Sequence, residues 1–155
     1  MVIKNHNRAT NIKFGYYLIT FLYLAAIATG LYLEVPRASL YAGCLTLLFI
    51  LILAFSFSLK LNYIIYMDNA DKIVLRHYPL HPFHDKFKSI EIPKNEFSHF
   101  VIQKKLFNLR SELILFQTTS RGLAKFPPIS ISALPKKSQI AIINSLSQFA
   151  NRKAN

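Results

Sequence analysis

Hydrophobic and polar positions divide the chain into three regimes. Residues 14–33 and 40–59 are each an unbroken run of 20 residues without Asp, Glu, Lys, Arg or His. At 1.5 Å of rise per residue, about 20 apolar residues carry a helix across the ~30 Å of a bilayer's hydrocarbon. Both runs are therefore expected to be transmembrane helices. The loop between them, residues 34–39, is too short to fold alone and contains Pro36, which stops one helix or opens the next. The two helices are then antiparallel neighbours.

After Lys60 the period shortens. Residues 62–67 (NYIIYM) and 72–77 (KIVLRH) are rich in β-branched and aromatic side chains, and Asp68-Asn69-Ala70-Asp71 between them is turn chemistry. This reads as a β-hairpin, followed by an extended loop over 78–85 that holds Pro79 and Pro82. Further strands are expected over 87–92, 97–104 and 112–118, and shorter ones over 123–126 and 129–132, split by Pro127-Pro128. The last segment changes period again. Ile142, Ile143, Leu146, Phe149 and Ala150 recur at helical spacing, which predicts an amphipathic helix over 135–151.

Charge orients the hairpin. Lys4, Arg8 and Lys13 precede the first run and Lys60 follows the second, whereas the loop holds only Arg37 beside Glu34. The positive-inside rule places both termini in the cytoplasm, and Tyr16, Tyr17, Tyr32 and Tyr41 fall at the two interfaces. Residues 1–13 are expected as a basic cytoplasmic tail lying loosely on the headgroups, 14–59 as the hairpin, and 60–155 as one cytoplasmic domain. Ala26-Ile27-Ala28 resembles a signal cleavage site, but the apolar run continues to Leu33, which favours a retained helix. The single cysteine, Cys44, lies inside the second run, so neither an internal disulfide nor a cysteine metal site is available.

Small residues concentrate in the outer halves of both runs and predict close helix packing around Tyr23, Ala26, Gly30 and Gly43. The Tyr23 hydroxyl, at mid-membrane depth, calls for a partner there. No ionisable relay residue lies in either span, so the hairpin alone is not a pump, channel or transporter.

The net charge is +12, and residues 60–155 hold 15 Lys or Arg against six Asp or Glu. A basic domain tethered at the membrane is drawn to anionic lipid headgroups. With that tether accounting for the sign, and no nucleic-acid motif, a nucleic-acid partner is not expected. Lys60, Lys86, Lys88, Lys104, Lys105, Arg110, Arg121 and Lys125 form a basic face for lipid or protein, or protect solvated strand edges. Phe83, Phe107 and Pro127-Pro128 are apolar loop positions, either docking points or plugs over a small core.

Candidate chemistry is sparse. His77, His81 and His84, beside Asp85, have ligating side chains, yet Pro79 and Pro82 break any regular face that would converge them on a metal. Loop packing is the expectation, with no cofactor. Asp68 and Asp71 belong to a turn, and Glu91, Glu96 and Glu112 are spread over separate strands. A domain whose only glycine is Gly122 has no glycine-rich phosphate loop, and no G-x-S-x-G appears. The expectation is a protein that is not an enzyme.

The order of strands 62–67, 72–77, 87–92, 97–104, 112–118 and 129–132 followed by helix 135–151 resembles the bacterial pleckstrin-homology-like domain. The preceding two-helix hairpin is similar to that of small bacterial membrane proteins of this group. The resemblance implies a membrane α-helical hairpin plus a small α+β domain, with a PH-like antiparallel barrel or sandwich of six or seven strands and a C-terminal helix. Phosphoinositide-binding members carry basic residues at the first hairpin turn, where this chain has Asp68-Asn69-Ala70-Asp71. The function expected on these grounds is an accessory or scaffolding subunit of a bacterial inner-membrane complex, with other integral membrane subunits as partners. The alternative is a stand-alone binder of anionic lipid.

Overall fold

The computed structural model describes residues 1–33, 37–81 and 87–152. Strand β1 (Val2–Lys4) leads into helices α1 (His6–Tyr32) and α2 (Ala38–Ser58). There follow β2 (Asn62–Asp68), β3 (Lys72–Pro79), β4 (Lys88–Pro93), β5 (Phe97–Lys105), β6 (Arg110–Thr119), β7 (Gly122–Lys125), β8 (Ile129–Ser130) and α3 (Lys136–Arg152). The strands make two four-stranded antiparallel sheets, β1-β2-β3-β4 and β5-β6-β7 with β8 also on β6. β5 occupies one edge of β6, so β7 and β8 share the other, interrupted at Pro127-Pro128, where proline has no N–H to give a ladder. The expected barrel does not close. Instead α3 packs its apolar stripe into the space between the sheets.

Alternation along the strands builds that core. Ile64 and Tyr66 of β2, Ile73 and Leu75 of β3, Ile90 and Ile92 of β4, and Leu113 and Leu115 of β6 are buried together with Ile142, Leu146 and Phe149 of α3. The two-residue period of a strand sends these residues to one face, and the helical stripe supplies the opposing surface. A second stitch is polar. The Tyr66 hydroxyl hydrogen-bonds Ser145 Oγ at 2.8 Å, and Ser145 in turn donates to Asp68, which Lys94 pairs at 2.7 Å. Burial, with the Asp68 charge adding to it, pushes the Tyr66 phenol up to about 12.

The N-terminal stretch corrects the expectation of a loose tail. Val2, Ile3 and Lys4 pair with Met67, Tyr66 and Ile65, which makes β1 the edge of the first sheet. Asn5 continues the pairing with its side chain: Nδ2 donates to the Asn62 carbonyl at 3.0 Å and Oδ1 accepts from the Ile64 N–H at 2.8 Å. The first two turns of α1 lie on the sheet's outer face, where Ala9 is buried with Tyr63, Leu80 and Ala133. The hairpin is thus inserted between two hydrogen-bonded neighbours, β1 and β2.

α1 and α2, of 27 and 21 residues, are each long and apolar enough to cross a membrane. Tyr23 finds its partner in Thr46, hydroxyl to hydroxyl at 2.9 Å, and its ring stacks on Phe49 with centroids 4.3 Å apart. Gly30 is a point of close approach: a Cβ there would lie 2.7 Å from Cε1 of the Tyr41 ring, which would have to shift. Ala26 lines a groove between the helices. Gly43 differs from the expectation: a Cβ at that position would meet nothing within 4 Å, so it has no part in the close packing.

Candidate binding cleft at the helix base

α2 ends on an unusual residue. Lys60 has φ 45°, the left-handed conformation that commonly ends helices but that glycine normally supplies. Its N–H still bonds the Phe57 carbonyl at 3.1 Å. Two strands hold this end: Ser130 Oγ of β8 donates to the Leu59 carbonyl at 3.3 Å and Arg110 Nη1 of β6 to the Ser58 carbonyl at 3.1 Å. A guanidinium on the last carbonyls of a helix meets the negative end of its dipole.

Beside this joint lies a cleft of about 650 Å³, bounded by Tyr16 of α1, Ser56 and Phe57 of α2, Lys60 to Asn62, and His77, Pro79, His81 and Lys88 beyond. The antiparallel register explains the gathering. Asn62 is opposite Pro79 in the β2–β3 ladder, and His77 is opposite Lys88 in the β3–β4 ladder. Among the described lining residues there is no carboxylate, and the basic ones are Lys60, Lys88, His77 and His81. His77 Nδ1 is buried with no hydrogen-bond partner among the described residues. Burial, reinforced by the Lys88 charge, holds the His77 imidazole below its ordinary pKa. His81 sits edge-on to Phe57, centroids 6.2 Å apart.

The eight basic positions of the sequence reading are thereby dispersed. Lys60 and Lys88 enter the cleft. Lys105 and Arg110 both pair with Glu112, which is fully buried; the Lys105 ammonium is 2.9 Å from one carboxylate oxygen and the Arg110 guanidinium grips the other. Lys104, Arg121 and Lys125 are exposed on the second sheet, away from the cleft lining. Lys86, His84, Asp85 and Phe83 lie outside the described residues. The histidine cluster is only half assembled by the visible geometry, with His77 and His81 sharing the cleft. Among the described residues no group of three or more His, Cys, Asp or Glu converges on a metal position.

Asn5, Asn62 and Ser130 do not stand out in the sequence, and Glu112 figures there only as one of three carboxylates spread over separate strands. Each is a polar residue at a strand end or in a buried register position, where only the partner strand reveals its task. One signal was available: Asn62, a poor strand former, opens a strand two residues after an apolar run.

No protein-family model, curated protein or solved structure matches this chain.

Proposed function

We propose that the chain is a non-enzymatic, membrane-anchored binding module that holds the headgroup of an anionic lipid in the cleft at the base of its two apolar helices. The observation that carries this reading is the composition of the cleft: Lys60, Lys88, His77 and His81 with no carboxylate among the described lining residues, where an apolar helix gives way to polar chain. An anionic phosphodiester there meets the Lys60 and Lys88 ammonium groups and the His77 imidazole, whose Nδ1 has no partner among the described residues, and the surface potential of the inner leaflet supplies the ligand locally. Strain at Lys60 points the same way, because a non-glycine residue kept in the left-handed region is a common mark of a functional position.

On this reading both helices span the bacterial inner membrane with both termini cytoplasmic, in keeping with the flanking Lys4, Arg8, Lys13 and Lys60. The domain is PH-like, with β1–β4 as one sheet of a sandwich, the β5–β8 sheet as the other, and α3 closing the open end. The insertion of the hairpin between β1 and β2 supports a role as a rigid platform: the domain is held to the membrane by two connections instead of one.

The test uses the full chain in nanodiscs of phosphatidylcholine doped with phosphatidylglycerol, with native mass spectrometry of the lipid retained. One phosphatidylglycerol is expected to stay with each protein. Lys60→Gly separates binding from folding: it removes the ammonium and relieves the left-handed strain, so retention falls at least several-fold while stability holds or rises by up to about 1 kcal/mol. Retention unchanged in both Lys60→Gly and Lys88→Ala overturns the proposal.

The accessory-subunit reading has its own observation. A groove of about 280 Å³ lies between α1 and α2, lined by Ile19, Leu22, Ala26, Leu45, Leu48 and Ile52, an apolar surface of the kind that packs against a further membrane helix. Stoichiometric co-extraction of another membrane protein, lost in Leu22→Trp or Leu48→Trp, is the result that supports it.

A further inference from the structure

The turn between β5 and β6 is built of exposed apolar residues: Leu106 is 39% exposed, Leu109 56% and Phe107 99%. Leu106, Phe107 and Asn108 take φ of 50°, 52° and 70°, three successive non-glycine residues in the left-handed region. Only the Leu106 carbonyl, accepting from the Leu109 N–H at 3.0 Å, ties the turn to itself. Bulky side chains avoid this conformation, and a phenylalanine so exposed recovers nothing by packing inside the chain.

The base of the turn is fixed beside the membrane joint. Arg110, the first residue of β6, donates to the carbonyl of Ser58, the last residue of α2, and it is locked by Glu112. The tip therefore extends from the point where the apolar helix ends. Lys104 and Lys105 precede it and Arg110 follows, so the order along the chain is basic, apolar, basic. Aromatic and aliphatic side chains at the headgroup–acyl boundary, with Lys and Arg beside them, are the pattern of segments that lie in a membrane interface.

We infer that Leu106, Phe107 and Leu109 insert into the headgroup–acyl boundary of the bilayer as a third anchor, one that fixes the tilt of the domain on its hairpin. The inference rests on the reading that α1 and α2 cross the membrane. Its occupant is the lipid interface, because the tip is continuous with the foot of α2 and exposed Lys104 keeps its flank cationic after Glu112 has paired with Lys105 and Arg110. A pivot here also holds the mouth of the cleft at headgroup depth, since Arg110 and Ser130 grip consecutive carbonyls of the same helix end.

The chain contains no tryptophan, so single substitutions report depth without background. Phe107→Trp, Leu47→Trp in the middle of α2 and Leu123→Trp at the far end of the β6–β7 hairpin are compared in full-length protein. Each is reconstituted in vesicles of phosphatidylcholine and phosphatidylglycerol brominated either near the carbonyl or deep in the acyl chain. The expected result is strong quenching of Phe107→Trp by the shallow bromines, of Leu47→Trp by the deep ones, and of Leu123→Trp by neither. Leu109→Trp repeats the first measurement at a second position, in case the left-handed turn rejects indole at 107. Water-like, unquenched emission from both tip variants beside a quenched Leu47→Trp overturns the anchor and leaves the spanning reading intact. Blue-shifted emission that bromine does not quench places the tip against protein and overturns it as well. An unquenched Leu47→Trp defeats the spanning reading itself, and the anchor with it.

Discussion

Asn5 acts as two backbone groups. β1 ends at Lys4 because the chain must turn into α1, and the Asn5 amide supplies the acceptor and donor that the next strand residues would have offered to Ile64 and Asn62. Asn5→Ala leaves a buried N–H and a buried carbonyl unpaired, at about 1–3 kcal/mol each. The expected outcome is a loss of about 2–4 kcal/mol in unfolding free energy, read from denaturant titration in micelles. Asn5→Asp retains the acceptor and recovers less than half, because a carboxylate cannot donate to the Asn62 carbonyl. His77 gives a pH dependence whose sign follows from linkage. Its folded-state pKa lies below the ordinary 6.5, so the unfolded chain takes up the proton first, and stability is lost as pH falls through that value. A bound anion favours the imidazolium and opposes the loss. Melting between pH 7.5 and 5.5 is therefore expected to drop more in phosphatidylcholine discs than in phosphatidylglycerol discs, and His77→Gln removes the difference. An identical acid drop in both lipids would show that the imidazole does not face a bound anion.

At the scale of elements, what decides the arrangement is how the end of α2 is held. Glu112 is fully buried and would be costly alone, but Arg110 from its own strand and Lys105 from β5 approach it, and Arg110 gives its second terminal nitrogen, Nη1, to the helix. Arg110→Ala leaves an under-compensated buried carboxylate and is expected to cost about 3 kcal/mol. It should also raise amide exchange at Leu59 and Lys60, whereas loss of stability without faster exchange there would mean that the guanidinium serves Glu112 alone. Elements were legible in the sequence wherever periodicity or turn chemistry is local. The runs 14–33 and 40–59, the Asp68–Asp71 turn and the stripe of Ile142, Leu146 and Phe149 announced α1, α2, the β2–β3 hairpin and α3 to within a few residues, except that α1 begins at His6, eight residues before its apolar run. β1 was not legible, since three residues, Val2–Lys4, carry no period of their own and become a strand only through partners more than 60 positions away. The cleft was half legible for the same reason. Lys60, His77, His81 and Lys88 stand out as residue types, but only the β2–β3 and β3–β4 registers bring them to one wall.

For the whole molecule, the insertion of the two-helix hairpin between β1 and β2 couples folding of the domain to a segment that precedes it in the chain. Residues 60–155 alone lack β1, Asn5 and the Ala9 face, so the outer edge of β2 is left unpaired and Tyr63, Leu80 and Ala133 lose their cover. An exposed strand edge of this kind, with Ile65 and Met67 on it, is a template for aggregation. The fragment is expected to aggregate or to unfold with a broad, weak transition. A chain in which residues 1–13 are joined through a flexible linker directly to 60–155 replaces the hairpin by a loop, whose closure entropy grows only slowly with length. That chain is expected to be soluble and to unfold cooperatively, with the Ile64 amide protected from hydrogen exchange. A 60–155 fragment as stable as the linked chain would reduce β1 to decoration on the sheet. If the linked chain instead behaves like the bare fragment, the apolar hairpin does more than connect, and the domain's stability resides partly in the clamp that Arg110 and Ser130 close on the end of α2.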